Sequence, residues 1–351
     1  MRRGTGDGRR AIRAPLSSLL ALTLLLAACA RTPQAPPARI PPPQPTPLPV
    51  EPAPAAPRLA AEGTIDGASG KLWYRIVGHG PDTVLVPLGT WLEPGLAALG
   101  ERHTLVFFDP RHRGRSHALT DSLAATFDGD VLDIEAVRMA MGSPRVAVIG
   151  YDYYAGVAAA WAAAHPQATT RLILLSPIEP ADSLSRTWNP PERAARLDTT
   201  AARALVKARA AGKDTSDAAG YCEQFWRVNM RLFVNDTVRA NAITPDWCQW
   251  PNESPARVAD AAGRALSSLG PAIDLGVRAG GVSVPTLVVH GRQDLVANPE
   301  GAREWTRRIS GARVLWLSNV GHLPHLEAGS IVVESINDFL AGRWPPRAGP
   351  P

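Results

Sequence analysis

Val146-Ala147-Val148-Ile149-Gly150-Tyr151-Asp152-Tyr153-Tyr154-Ala155-Gly156 is the stretch on which the fold turns. A continuous apolar run reaches a glycine, a single acidic residue follows, and an alanine-rich segment then continues to His165-Pro166. Read locally, this is a buried strand, a tight turn and a helix of small residues. Similar apolar runs flank it on both sides. Thr83-Val84-Leu85-Val86 and Thr104-Leu105-Val106-Phe107-Phe108 precede it, and Leu172-Ile173-Leu174-Leu175, Thr286-Leu287-Val288-Val289 and Val314-Leu315-Trp316-Leu317 follow. Strands that are apolar without alternation, with helical sequence between them, indicate a mainly parallel sheet covered on both faces. A hairpin is expected across residues 62–77, where Asp66-Gly67 and Ser69-Gly70 are turn signals. About 110 residues of helix-like sequence interrupt the alternation between the Leu175 and Thr286 runs, as an inserted cap would.

Composition sets the outer bounds. With 351 residues, 45% hydrophobic and 20% charged, the chain can bury a substantial core, which excludes global disorder; three cysteines exclude a disulfide-stapled miniprotein. The net charge of +5 suggests nucleic-acid binding only at first sight. Arg2, Arg3, Arg9, Arg10 and Arg13 against Asp7 give residues 1–28 a charge of +4, leaving +1 for the remainder. No nucleic-acid partner is therefore expected. The basic segment leads into an apolar run over residues 16–26 and ends in small residues, the three parts of a secretory leader. Its end, Leu26-Ala27-Ala28-Cys29, resembles a bacterial lipobox. The resemblance implies cleavage before Cys29 and lipidation there, with Ala30 at the next position implying the outer membrane. An ordinary signal peptide ending in cysteine is the alternative. Residues 31–58 then hold 12 prolines, which removes ladder donors and gives an extended, polyproline-like tether. No later apolar run is long enough to span a membrane. The expected organisation is a leader over 1–28, a lipid-anchored tether over 29–60, a core over 61–178 and 279–345, and a helical cap over 179–278.

Four segments together carry a resemblance to the α/β-hydrolase fold, from about residue 62 to 344. Asp109-Pro110-Arg111-His112-Arg113-Gly114-Arg115-Ser116 is similar to the family's Asp-x-Arg-Gly-x-Gly-x-Ser loop, with His112 in place of one glycine. Gly150-Tyr151-Asp152-Tyr153-Tyr154 resembles the nucleophile elbow. Val289-His290-Gly291-Arg292-Gln293-Asp294 looks like the segment bearing the triad acid, and Val320-Gly321-His322-Leu323-Pro324 like the one bearing the histidine. Together with Glu304-Trp305 and the cap, they look closest to a proline-iminopeptidase-like branch. The resemblance implies a mostly parallel eight-stranded sheet, helices on both faces, an inserted helical cap and no cofactor.

The elbow departs from the family at one decisive position. Serine is usual there, within Gly-x-Ser-x-Gly; this chain has Asp152, and no serine lies between Ser143 and Ser176. Aspartate at the elbow is known in epoxide hydrolases and haloalkane dehalogenases. A carboxylate attacks an sp³ carbon to make an alkyl-enzyme ester, which a histidine-activated water hydrolyses. The other reading is a serine-hydrolase lineage that lost its nucleophile. Those two groups usually continue with tryptophan and two glycines, where Tyr153-Tyr154-Ala155 stand here. Their His-Gly-x-Pro loop is replaced by Leu88-Gly89-Thr90-Trp91. The backbone N–H groups of Thr90 and Tyr153 are candidate oxyanion donors, and the indole of Trp91 either donates to a leaving group or packs.

His322 is the candidate general base and Asp294 the acid that orients it. Asp294 can alternatively cap the helix that follows, and Glu179 is a reserve position for the acid. In the cap, Tyr221, Phe225, Trp226, Trp247 and Trp250 either line an apolar substrate pocket or form the cap's own core. Cys222 and Cys248 can pair there in a secreted setting, and zinc is not expected because no Cys-x-x-Cys or histidine spacing accompanies them. The expected partners are a small-molecule substrate and, through the N-terminal lipid, a membrane.

Overall fold

A computed structural model describes residues 60–350, apart from 119–120, 182, 185–187 and 271–272. The leader, Cys29 and the tether lie outside the described residues, save Ala60. The hairpin forms as expected from β1 (Glu62–Gly67) and β2 (Gly70–Val77). The apolar runs become β3 (Thr83–Pro87), β4 (Thr104–Phe108), β5 (Val146–Tyr151), β6 (Thr169–Leu175), β7 (Thr286–Gly291) and β8 (Arg313–Leu317). A two-residue strand, β9 (Ala348–Gly349), joins the eight expected strands at the edge, just past the core boundary read from sequence. The order is β1-β2-β4-β3-β5-β6-β7-β8-β9, with β2–β4 and β8–β9 antiparallel and every pair from β4 to β8 parallel.

The strand order explains where chemistry can sit. From β3 the chain adds β4 on one side; from β5 it adds β6, β7 and β8 on the other. The loops leaving the carboxyl ends of β3 and β5 therefore diverge and open a crevice, the usual ligand position in such sheets. Both loops begin with a strained residue: Leu88 after β3 and Asp152 after β5 have φ of 64° and 52°. Left-handed backbone at a non-glycine residue costs roughly 1–3 kcal/mol and persists only when the surroundings enforce it.

Helices cover both faces of the sheet. α1 (Gly89–Leu96) follows β3; α2 (Phe127–Ala140) and α3 (Tyr153–Ala164) pack together beside β5. Every residue of β5 is buried, as are ten of the twelve in α3. That burial accounts for the alanines, which let the helix pack closely against the sheet and α2, with Tyr153, Tyr154 and Trp161 as its large buried side chains. At Gly156 an added Cβ would come within 2.8 Å of Leu275. Between β6 and β7 the chain is helical, including Thr199–Ala210, α4 (Ala218–Phe233) and Pro255–Ser267. α4 buries Cys222, Trp226 and Met230 at four-residue spacing, one face of a helix. Cys222 is disulfide-bonded to Cys248, with a Cα–Cα separation of 5.5 Å. After the cap, α5 (Pro299–Arg308) covers β7 and β8.

Candidate active site

β5 ends at Tyr151 and α3 starts at Tyr153, so the turn between them is the single residue Asp152. Its N–H donates to Leu175 O at 3.1 Å, and its carbonyl accepts from Ala155 N at 3.1 Å. These bonds fix residue 152 between the strand and the first turn of the helix. Gly150 is what allows the turn to be so tight: a Cβ there would lie 2.5 Å from Tyr154 O and 2.7 Å from the Ala155 Cα. The Asp152 side chain stands clear of the sheet, 35% exposed, with Oδ1 3.4 Å from His322 Nε2.

His322 follows β8, and its backbone N–H donates to Phe233 O, the last residue of the cap helix α4, at 2.6 Å. Its Nδ1 lies 2.8 Å from Asp294 Oδ2. Asp294, just after β7, is fully buried, and its Oδ1 accepts from Val296 N and Ala297 N at 2.8 and 2.9 Å. Burial pushes the His322 pKa down, but the Asp294 charge, the contacts with Asp152 and Asp294 and the Asp152 charge outweigh it. Together they bring it up to about 10. Burial likewise disfavours the Asp294 anion, and the charge and hydrogen bond of His322 more than compensate, holding that carboxyl below its ordinary value. At neutral pH His322 is therefore an imidazolium, with Asp294 and Asp152 on either side of its ring.

The model of the α/β hydrolase fold family matches residues 87–329. The chain belongs to the α/β hydrolase fold family. It is similar to the proline iminopeptidases of two Xylella fastidiosa strains, Temecula1 and 9a5c, at 36% identity over 74 residues. That match covers 21% of this chain and 24% of the relatives, so it spans about a quarter of their length. Among solved structures, the enol-lactonase of Burkholderia xenovorans LB400 superposes with a TM-score of 0.60 at 22% identity, over 80% of this chain and 100% of that one. For the 2-hydroxy-6-oxo-6-phenylhexa-2,4-dienoate hydrolase of Rhodococcus sp. strain RHA1 the values are 0.60, 17%, 80% and 98%. At these identities the two structures establish the shared fold.

In this α/β hydrolase the three residues read as the triad, Asp152, Asp294 and His322, do come together. Asn298, not Asp294, caps α5, its side chain accepting from Glu300 N. Glu179 instead accepts from Asn298 N at 2.8 Å and lies outside ion-pair reach of His322, which pairs with Asp152 and Asp294. The loop after β3 corrects two expectations. The Thr90 N–H donates to Asp109 Oδ1 at 2.9 Å, and the Trp91 indole N–H donates to Glu253 Oε2 at 2.7 Å. Both donors are occupied, so neither is free for an oxyanion or a leaving group. The Tyr153 hydroxyl donates to the buried Asp130. The Tyr153 backbone N–H, at the first position of α3, has no intrahelical acceptor and is the remaining donor at the elbow.

Two carboxylates organise that loop. Asp109 accepts from Thr90 N, Thr90 Oγ1 and Arg115 N. Glu253, from the cap, accepts from Trp91, from Arg113 Nε and Nη2 at 2.9 and 2.8 Å, and from Gly114 N. The cap aromatics follow the packing alternative: Trp91 stacks on Trp247 at 4.2 Å and meets Trp226 edge-on at 5.0 Å. A cavity of about 770 Å³ lies within the cap, lined by Trp226, Met230, Glu223 and Asp246 but by none of the triad residues. Glu253 was not legible as a site residue. Its partners lie up to 162 residues away and it sits in no motif; the only hint was an arginine-rich loop that must find anions when buried.

Proposed function

We propose that this chain is a hydrolase of small, apolar molecules that uses Asp152 as a nucleophile on an sp³ carbon. The observation carrying this reading is the Asp152 carboxylate itself: at the elbow, part-exposed, and 3.4 Å from the histidine of an Asp294–His322 pair. In the first step a carboxylate oxygen forms a bond to the substrate carbon while the carbon–leaving-group bond breaks. A halide departs with the electron pair; an epoxide oxygen takes the pair and a proton from water. This step needs no base, which suits a histidine that rests protonated.

Ester formation removes the charge of Asp152. One of the two anions holding the His322 proton is then gone, so its pKa falls and the proton passes to solvent. Neutral His322 next takes a proton from water as that water attacks the ester carbonyl of Asp152. The Tyr153 N–H faces the developing oxyanion. Collapse breaks the acyl–oxygen bond, releases an alcohol and regenerates the carboxylate.

The partial match to proline iminopeptidases and the occupied Thr90 N–H favour a second reading. In it a serine hydrolase has exchanged its nucleophile, leaving altered esterase or aminopeptidase activity or a capped ligand-binding protein. A panel of epoxides, haloalkanes, esters and aminoacyl anilides in ¹⁸O-water separates these. Turnover of an epoxide or haloalkane with ¹⁸O entering the Asp152 carboxylate is expected. Turnover of esters or anilides alone with Asp152 unlabelled supports the second reading, and no turnover supports ligand binding. We also infer from the Leu26-Ala27-Ala28-Cys29 motif that the protein is lipid-anchored at Cys29 and faces the periplasm from the outer membrane. Cys29→Ser should release a soluble or unprocessed form; unchanged membrane fractionation with normal leader cleavage contradicts it.

A further inference from the structure

Two imidazoles, not one, face the triad acid. Asp294 Oδ2 lies 2.8 Å from His322 Nδ1 and 3.5 Å from His290 Nε2, while Oδ1 is occupied by two backbone N–H groups. His290 is the fifth residue of β7 and is fully buried; neither ring nitrogen makes a well-formed hydrogen bond among the described residues, while the Ala297 backbone and the Arg303 charge also face the ring, the latter disfavouring its protonation. Buried polar atoms without well-formed partners are destabilising, so such a ring beside the triad calls for a reason. We propose that His290 is a positioning residue, a neutral imidazole whose Nε2–H dipole is directed at Asp294 and limits how tightly that acid holds the His322 proton.

The electrostatics select the tautomer. Burial disfavours the charged ring and holds the His290 pKa below its ordinary value, so it is neutral. A neutral imidazole has one N–H and one lone pair. With Nδ1 protonated, the Nε2 lone pair would face a carboxylate at 3.5 Å and be repelled; with Nε2 protonated the contact is attractive. The separation exceeds a made N–H···O bond, so the effect is dipolar and modest. Each added donor makes Asp294 a weaker base, and a weaker Asp294 grips the His322 proton less. The other groups facing His322 do not substitute for it. Asp152 from the elbow adds charge in the opposite sense. Burial keeps Tyr151 from β5 neutral, its pKa well above the usual phenol value, and pushes His325 down to about 3. Phe233 from α4 does not titrate, and Glu179 faces Asp152 and Asp294 from beyond the pair. The role depends only on the Asp294–His322 pair and stands whichever reaction Asp152 performs.

The test is ¹⁵N NMR of the full chain labelled at its eight histidines, without substrate, with His322→Gln used for assignment. In the wild type, His290 should show the Nε2–H tautomer and be neutral at neutral pH and above. His290→Leu should raise the His322 pKa by about 0.5–1 unit, and His290→Gln, whose amide can reach the same oxygen, should return it towards the wild-type value. An Nδ1–H or charged His290 overturns the proposal. So does a His322 pKa unmoved by leucine, or moved equally by leucine and glutamine. If the leucine variant fails to fold, the wild-type tautomer decides.

Discussion

Two sets of carboxylates lie at the mouth of one crevice, and they are treated in opposite ways. Glu253 and Asp109 are buried and heavily hydrogen-bonded, with four donors on the first, which saturates it, and three on the second. Asp152 sits at a strained backbone position, a third exposed, with one cation at 3.4 Å. The bonds of the first set hold a loop to the sheet and the cap to the loop. The second carries a charge that the fold supports with a single loose contact. A saturated carboxylate is a poor nucleophile because its lone pairs are engaged; one held at an elbow with lone pairs open is available for reaction. The contrast separates structural from reactive acids.

Substitution at each set sharpens that contrast. Asp152→Asn should lower any hydrolytic turnover by about a thousandfold or more, since removing a nucleophile disables the unit it belongs to. Its stability should change much less than in Arg113→Met, because asparagine tolerates positive φ and only the single 3.4 Å contact with His322 is altered, Asp294 remaining as that ring's partner. Arg113→Met should do the reverse, costing roughly 3–5 kcal/mol in urea unfolding by leaving Glu253 buried without its bidentate partner. Arg113→Met combined with Glu253→Met should recover most of that loss. Equal destabilisation by Asp152→Asn and Arg113→Met would break the comparison. Next in size, replacing Cys222 and Cys248 together by alanine should cost about 3 kcal/mol, because the bond closes a 26-residue separation next to Glu253.

A pH dependence probes the same pair of sites from another side. His322 is raised from 6.5 to about 10 in the folded protein, so its contribution to stability is complete below pH 6.5. Between those values the folded state binds more protons than the unfolded, and stability falls as pH rises through the window. His322→Gln should flatten unfolding free energy against pH over that range. An unchanged slope would mean that the paired carboxylates do not hold the proton.

Much of this was legible in sequence, and the rest was hidden for identifiable reasons. Parallel strands are buried on both faces, so their continuous apolar runs announced β3 to β8 directly. Gly150, Asp152 and the alanine helix announced the elbow because a turn this tight restricts side chains locally. Asp294 and His322 were legible because each closes a strand with a short motif. The roles of Thr90 and Trp91 were not, because a backbone N–H near a crevice looks free until its acceptor is known. The acceptors come from Asp109, 19 residues on, and from Glu253 in the cap, 162 residues on. His290 was quoted as part of a motif, yet its position 3.5 Å from Asp294 appears only once the strand and the following turn are built.

The most direct test of Asp152 as nucleophile is to trap what it makes. In His322→Gln the first step needs no base and should proceed, whereas the second lacks one and should stall. Mass spectrometry of that variant, incubated with a substrate the wild type turns over, should find an alkyl adduct on the peptide carrying Asp152. Absence of any adduct on every panel substrate, together with esterase activity gained in Asp152→Ser, would contradict alkyl transfer and return the elbow to the serine hydrolases.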